Sequence, residues 1–160
     1  MNKQKLIDKI CQQLEADLLA QKAAAKATYE AATNEESKPE NEYDTRALEA
    51  SYLAGAQAKR VSEIEAQLTV YKYIEIKDFT SKTPIASTAL VELLDEKEKR
   101  SFIFLLPQGG GLNISWEGKQ LQVITLNSPL GEALVGLRVG DQFLVEIGKH
   151  SKEYEIISAH

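Results

Sequence analysis

In two segments of the first 70 residues, apolar residues recur every three or four positions, which is the spacing of one face of a helix. The segment from about 3 to 33 has an apolar residue at every fourth position: Leu6, Ile10, Leu14 and Leu18. The segment from about 40 to 70 has a heptad seam: Tyr43, Ala47, Ala50, Ala54, Gln57, Val61, Ile64, Leu68 and Tyr71. We therefore predict two helices.

The size of the seam residues predicts how the two helices pair. Side chains are large at the start of the first helix and the end of the second, and mostly alanine in between. Matching gradients favour an antiparallel coiled-coil hairpin over residues 1–73. Alanine buries little apolar area, so we expect weaker packing toward the turn. A helix of about 28 residues is roughly 42 Å long, so we also expect the hairpin to project.

The turn between the helices, near 33–44, is acidic. Residues 30–49 contain seven carboxylates, against Lys38 and Arg46 as the only cations. Ser37 and Glu40 have capping-box spacing, and Pro39 suits a first helical turn. Carboxylates near a helix N-terminus are also favoured by the helix dipole. The acidic turn is thus explained either by ordinary capping or by a functional tip.

From about residue 71 the pattern changes to short apolar runs separated by turn signals. The runs are YKYIEIKDF, ALVELLDE, RSFIFLLP, QLQVITL, DQFLVEIG and KEYEIISA, with QGGGLN typical of a hairpin turn. Between two of them, Ser128 fits a helix N-cap, Pro129 the first helical position, and Gly136 the position after the end. Residues 74–160 are therefore predicted to form an α+β domain, an antiparallel sheet with one short helix.

Composition narrows the class of protein. Hydrophobic residues make up 43% and charged residues 27%, as in globular proteins, and the net charge of −5 argues against a broad basic face for duplex DNA. We therefore expect no sequence-specific DNA binding. The lone Cys11 indicates a reducing compartment. We expect a cytoplasmic protein without a membrane partner, since no apolar run reaches spanning length.

In residues 124–157 a Ser-Pro helix ends in Ala-Leu-x-Gly, and Gly-Asp then introduces a strand. The residues of this pattern are Ser128, Pro129, Ala133, Leu134, Gly136, Gly140 and Asp141. The pattern resembles the C-terminal signature of a known family, the bacterial Gre transcript-cleavage factors. Residues 60–68, RVSEIEAQL, likewise resemble the second coiled-coil helix of that family. The resemblance implies an FKBP-like fold for residues 74–160, docked on the rim of the secondary channel of RNA polymerase.

The resemblance also implies what the acidic tip does. The coiled coil would enter the channel, and Glu36, Glu40 and Asp44 would help hold a catalytic Mg²⁺ in the polymerase's own active centre. Glu35 and Glu42 stand behind them as candidates. Oxygen ligands suit a hard cation, and a second metal can generate the hydroxide that cleaves a backtracked transcript. The protein would need no cofactor of its own and would not itself be an enzyme.

Other candidate residues follow from the same resemblance. The polymerase-docking loop would be formed by Asn127, Ser128, Pro129 and Leu130, although Ser-Pro can equally just begin a helix. The cations Arg46, Lys59 and Arg60 would face the nascent RNA or the channel wall; alternatively they are ordinary surface charges of a long helix.

The tip departs from the family pattern, Asp-x-x-Glu-Asn-Ala-x-Tyr. One register puts Pro39 where the family has Glu, and the other puts Ala47 there. Three functions therefore stay open. The protein stimulates transcript cleavage, or it binds the channel without cleavage and regulates initiation or competes with other channel factors. The third, suggested only by the implied FKBP-like fold, is a prolyl isomerase or chaperone.

Overall fold

The computed structural model describes residues 2–33, 46–148 and 150–160. Its helices are α1 (Lys3–Thr33), α2 (Arg46–Lys72) and α3 (Pro129–Leu134). Its strands are β1 (Leu90–Asp95), β2 (Arg100–Leu106), β3 (Asn113–Trp116), β4 (Lys119–Thr125), β5 (Gln142–Ile147) and β6 (His150–Ala159). Two helices followed by a sheet with one short helix confirm the predicted α+β class.

The chain divides into two compact units. We call them the helical unit (Ile7–Tyr73) and the sheet unit (Met1–Leu6 with Ile74–His160). The start of α1, which the sequence analysis assigned to the hairpin, groups with the sheet unit in this division. No helix in the described ranges combines the length and hydropathy that a membrane span requires.

The two long helices of the helical unit run antiparallel, as predicted. Lys22 in α1 forms an ion pair with Glu65 in α2, with Nζ and Oε1 2.6 Å apart. Residues late in α1 lie beside residues early in α2, where Tyr29 and Ala54 line the same groove. The bounds of α1 match the prediction, and α2 ends two residues later than expected, at Lys72. The predicted start of the second helix, near residue 40, lies outside the described residues.

Packing along this hairpin weakens in the predicted direction. In the half formed by the first part of α1 and the last part of α2, the buried residues are Ile10, Leu14, Ile64 and Tyr71. In the other half the seam is alanine, and an open groove of about 470 Å³ remains between the helices. Its lining residues are Ala25, Tyr29, Thr33, Ser51, Ala54, Gly55 and Ala58. Small side chains leave this space because they cannot fill the distance between two helix backbones.

The sheet has the strand order β3-β4-β2-β1-β6-β5, and one pairing differs from the prediction. Four pairings are antiparallel, but β2 and β4 are parallel. β3, which was not predicted, lies at the edge. QGGGLN is therefore not a hairpin turn, because β2 and β3 are not neighbours. The β3–β4 hairpin turns instead at Glu117 and Gly118, whose φ angles of +49° and +77° fit a two-residue type I′ turn.

The alternating segment YKYIEIKDF was expected to be extended in a β-type run, but it contains no strand. Its first two residues complete α2, and residues 74–80 are irregular. Side chains take the place of a partner strand here. The Lys77 N–H donates to Thr88 Oγ1 at 3.0 Å, and the Lys77 carbonyl accepts from Lys3 Nζ. Alternation reflects burial of Phe79 and partial burial of Ile76, not a ladder.

Lys3 is a buried cation that the sequence pattern did not reveal. Its Nζ also donates to the Thr88 carbonyl at 3.2 Å and lies 4.9 Å from the centre of the Phe79 ring. Burial lowers the pKa of its ammonium group, while Asp78 acts in the opposite direction. Thr88 is fully buried with φ +70°, a strained conformation for a β-branched residue. Lys3 thus provides a hydrogen-bond donor for the carbonyl of Thr88, a residue with a strained backbone conformation.

One face of the sheet carries the core beneath α3. The residues of this core are buried between the strands and the helix. They include Val91, Leu93, Ile103, Leu105, Ile124, Leu134 and Ile156. Alternate residues of β1 and β2 point to this face, as the period of a strand requires. The packing fixes where α3 and the loop before it lie on the sheet.

We predict that Lys3→Met destabilises the sheet unit. The variant keeps the apolar stem but removes the donors to two carbonyl groups, which should lower the free energy of unfolding by about 1–3 kcal/mol. Urea denaturation measures the change. Lys5→Met, two residues along the same helix and exposed, is the matched control and should unfold like the wild type. Equal midpoints for Lys3→Met and Lys5→Met would refute the assignment.

A second prediction concerns alkaline pH. Burial, together with electrostatic repulsion from the ionised form of the neighbouring Cys11, raises the pKa of Tyr71 to about 12. The unfolded chain loses this proton near pH 10 and the folded chain keeps it, so stability falls as pH rises from about 10 toward 12. Tyr71→Phe removes this dependence. The difference between the urea midpoints of the wild type and Tyr71→Phe should be constant below about pH 9. Above that pH the midpoint of the wild type should fall relative to that of Tyr71→Phe. A constant difference up to about pH 11 would contradict the prediction.

Candidate partner-binding loop

The predicted docking residues lie at one end of the strands, in the loop between β4 and α3. Because β2 and β4 are parallel neighbours, their carboxyl ends lie side by side, and the segments that follow them begin next to each other. The Leu126 N–H donates to the Leu106 carbonyl at 3.3 Å, and this hydrogen bond connects the segment after β4 to the end of β2. The glycine segment after β2 also approaches β4: a Cβ added to Gly110 would be 3.1 Å from Thr125 Cγ2.

Ser128 is the N-cap of α3, which confirms the prediction from the sequence. Its Oγ accepts a hydrogen bond from the Gly131 N–H at 3.1 Å. The same Oγ donates to the Thr125 carbonyl at 2.7 Å, and the Ser128 N–H donates to that carbonyl at 3.1 Å. Pro129 occupies the first helical position, where a missing N–H costs nothing. One hydroxyl therefore connects the end of β4 to the start of α3.

Gly131 is required by a close approach of two backbones. It is buried, and a Cβ built on it would be 2.0 Å from the Thr125 carbonyl oxygen and 2.9 Å from the Leu126 carbonyl oxygen. Both distances are below what real Cβ atoms show. Any other residue must push α3 away from the end of β4.

The four predicted docking residues differ in what they present to a partner. Asn127 and Pro129 are exposed, whereas Ser128 is half-buried. Leu130 packs against the hydrophobic core beneath α3. The structure thus brings all four into one loop but leaves two of them available as surface contacts.

The rest of the Ser-Pro signature shapes the backbone around this loop. Leu134 is fully buried, and Gly136 follows the helix with φ +88° while its N–H donates to the Ile85 carbonyl. Gly140 has φ +90°, and Asp141 Oδ2 accepts from the Arg138 N–H at 2.7 Å. These are conformational roles, which explains why the pattern could be recognised without any knowledge of the partner.

The predicted tip carboxylates Glu36, Glu40 and Asp44 lie outside the described residues, as do Glu35 and Glu42. Their roles stay predictions. Within the described residues, no group of three or more potential ligands is arranged to hold a metal ion.

The predicted nucleic-acid-facing cations all belong to α2. Arg46 is its first residue, and its side chain is outside the described set. Lys59 is exposed. Arg60 lies 3.5 Å from Glu63 in an exposed ion pair one turn away, so its charge is partly engaged. Exposed pairs of this kind contribute little to stability, which leaves Arg60 able to exchange partners.

Sequence reasoning missed a charged group on the sheet face opposite α3. Glu92 accepts from Arg100 Nη1 at 2.5 Å and from Ser158 Oγ at 3.3 Å, and the Arg100 hydrogen bond lowers the pKa of this carboxyl. Nearby, Lys119 Nζ lies 4.2 Å from the centre of the Phe102 ring. These contacts depend on strand register, so no signal in the sequence could have identified them.

Comparison with known proteins gives consistent matches. The family of transcription elongation factor GreA/GreB C-terminal domains matches residues 84–160. The chain is 28% identical over 132 residues to transcription elongation factor GreA of Thioalkalivibrio sulfidiphilus, covering 82% of this chain and 78% of the relative. It is 29% identical over 139 residues to GreA of Xanthomonas campestris, covering 85% and 80%. The crystal structure of Thermus thermophilus GreA factor homolog 1 aligns over 94% of both chains at 19% identity, but its TM-score of 0.39 is too low to support conclusions.

Proposed function

This chain belongs to the Gre-type family of transcription elongation factors, and we propose that it binds bacterial RNA polymerase at the secondary channel and stimulates cleavage of backtracked transcripts. The observation that carries the proposal is the match of residues 84–160 to the GreA/GreB C-terminal domain. The polymerase itself performs the cleavage, and the factor supplies side chains to its active centre.

Docking is assigned to the loop of Asn127–Leu130. Support comes from its geometry: Asn127 and Pro129 are exposed on a segment whose backbone is fixed at Thr125 by Ser128. An exposed contact on a rigid backbone loses little conformational entropy on binding. This makes the loop a better docking element than a free surface segment of the same composition.

Catalytic assistance is assigned to the tip, on the basis of sequence. In this proposal Glu36, Glu40 and Asp44 contribute oxygen ligands or hydrogen-bond acceptors around Mg²⁺ in the polymerase active centre. Such a metal supplies a water of lowered pKa and stabilises the leaving oxygen. The carboxylates would hold the ion and orient that water, and Arg46, Lys59 and Arg60 would face the nascent RNA or the channel wall.

A second function has a specific observation in its favour. Pro39 or Ala47 takes the place of the family's tip Glu, depending on register. A chain without this pair would bind the channel and regulate initiation or compete with other channel factors, without stimulating cleavage. Prolyl isomerase activity has no comparable observation in its favour, because it is suggested only by the implied FKBP-like fold, and a fold alone is weak evidence for function.

The test is transcript cleavage in a stalled, backtracked elongation complex with Mg²⁺. We predict that the wild-type chain shortens the transcript. In the triple variant Glu36→Gln, Glu40→Gln, Asp44→Asn the rate of stimulated cleavage should be about 100-fold lower, because electrostatic stabilisation at the reacting centre is removed. Polymerase binding should be unchanged.

The matched control removes three exposed carboxylates elsewhere, with Glu96→Gln, Glu98→Gln and Glu153→Gln, and should cleave like the wild type. Binding without cleavage by the wild-type chain would establish the second function instead. Absence of polymerase binding would overturn both.

A further inference from the structure

We propose that Ser128, together with Gly110 and Gly131, positions the docking loop through Thr125 and does not itself contact the polymerase. We call these four residues the Thr125 clamp. The inference rests on the docking role proposed above and assigns recognition to Asn127 and Pro129.

The first part of the clamp is the hydroxyl of Ser128, which is used in both directions. It donates to the Thr125 carbonyl at 2.7 Å and accepts from the Gly131 N–H at 3.1 Å. A hydroxyl has one donor and two acceptor sites, so threonine can replace both bonds. A carboxylate can accept from Gly131 but cannot donate to Thr125. Alanine can do neither.

The second part is steric and acts on Thr125 from two segments. An added Cβ on Gly131 would meet the Thr125 carbonyl oxygen at 2.0 Å. An added Cβ on Gly110 would meet Thr125 Cγ2 at 3.1 Å and the Thr125 backbone nitrogen at 3.3 Å. Gly131 lets α3 approach the last residue of β4 more closely than a side chain permits, whereas a side chain at position 110 would make a tight contact that displaces Thr125 by a few tenths of an ångström. Thr125 is therefore held where Ser128 can reach its carbonyl.

The consequence for recognition follows from the sequence order. Asn127 and Pro129 are the immediate neighbours of Ser128, and both are exposed. Because the Ser128 N–H and Oγ both bond to Thr125, the backbone on either side of Ser128 has a fixed path. Leu130 continues into the core and anchors the other end of the loop. The two surface side chains are thus presented in one arrangement.

The experiment measures affinity of the full chain for RNA polymerase, at a temperature where each variant is shown to be folded by circular dichroism. We expect Asn127→Ala and Pro129→Ala each to weaken binding about tenfold, as truncation of a contact residue does, without a change in melting temperature. Ser128→Thr should bind like the wild type.

Ser128→Asp discriminates positioning from simple capping. Aspartate is a good N-cap, so α3 should remain formed, but the donor to the Thr125 carbonyl is lost. We expect binding about fivefold to tenfold weaker at nearly unchanged melting temperature, approaching the loss from the contact residues. Gly131→Ala should weaken binding at least as much. Glu132→Gln, exposed in the same helix, is the control and should bind normally.

The outcomes separate the two proposals. Normal binding by folded Ser128→Asp, while Asn127→Ala is impaired, would overturn the positioning role and keep the docking loop. Normal binding by Asn127→Ala and Pro129→Ala would overturn the docking loop and with it the clamp. A wild-type chain that does not bind polymerase would overturn the proposed function itself.

Discussion

The parallel pairing of β2 with β4 is the constraint on which the arrangement of the sheet unit depends. After β2 the chain forms β3 at the edge of the sheet and then returns as β4 between β3 and β2. The carboxyl ends of β2 and β4 therefore lie next to each other. The Leu126 N–H can then donate to the Leu106 carbonyl. The antiparallel pairing of β3 with β4 continues into the glycine segment before β3, where the Gly111 N–H donates to the Val123 carbonyl, and this brings Gly110 next to Thr125. Topology thus produces the restraint that the proposed docking loop needs.

The helical unit follows a different constraint, the size of its seam residues. Ile10, Leu14, Ile64 and Tyr71 are buried, whereas the alanine-rich half leaves an open groove. Alanine favours the helix by its intrinsic propensity while contributing little apolar burial. The two halves of the hairpin are therefore held differently: one by packing between the helices, the other chiefly by the preference of each segment for helix and by exposed pairs such as Lys26 with Glu30.

What could be predicted from the sequence was whatever depends on nearby residues. The bounds of α1, the antiparallel hairpin and the cap at Ser128 each rest on periodicity or on spacings of a few positions. The parallel pairing, the irregular segment 74–80 and buried Lys3 depend on residues distant in sequence. β3 belongs to a local hairpin and was missed because its four residues give too short an apolar run. The candidate site divides in the same way. The loop Asn127–Leu130 was found from its motif, but the approach of Gly110 to Thr125 joins two different segments of the chain and left no pattern in the sequence. The acidic tip remains a prediction.

This division also explains how docking and cleavage can separate in one chain. The Ser-Pro signature consists largely of residues with conformational roles: Ser128 caps, Leu134 is buried, and Gly136 and Gly140 have positive φ. A signature of this kind reports a scaffold, and the scaffold is intact here. In the proposed function, cleavage depends instead on the carboxylates of the segment between α1 and α2, where Pro39 or Ala47 takes the place of an acidic residue of the family pattern. Since nothing in the clamp depends on that tip, we expect loss of the carboxylate pair to leave the proposed docking unchanged, which is the situation that the second proposed function describes.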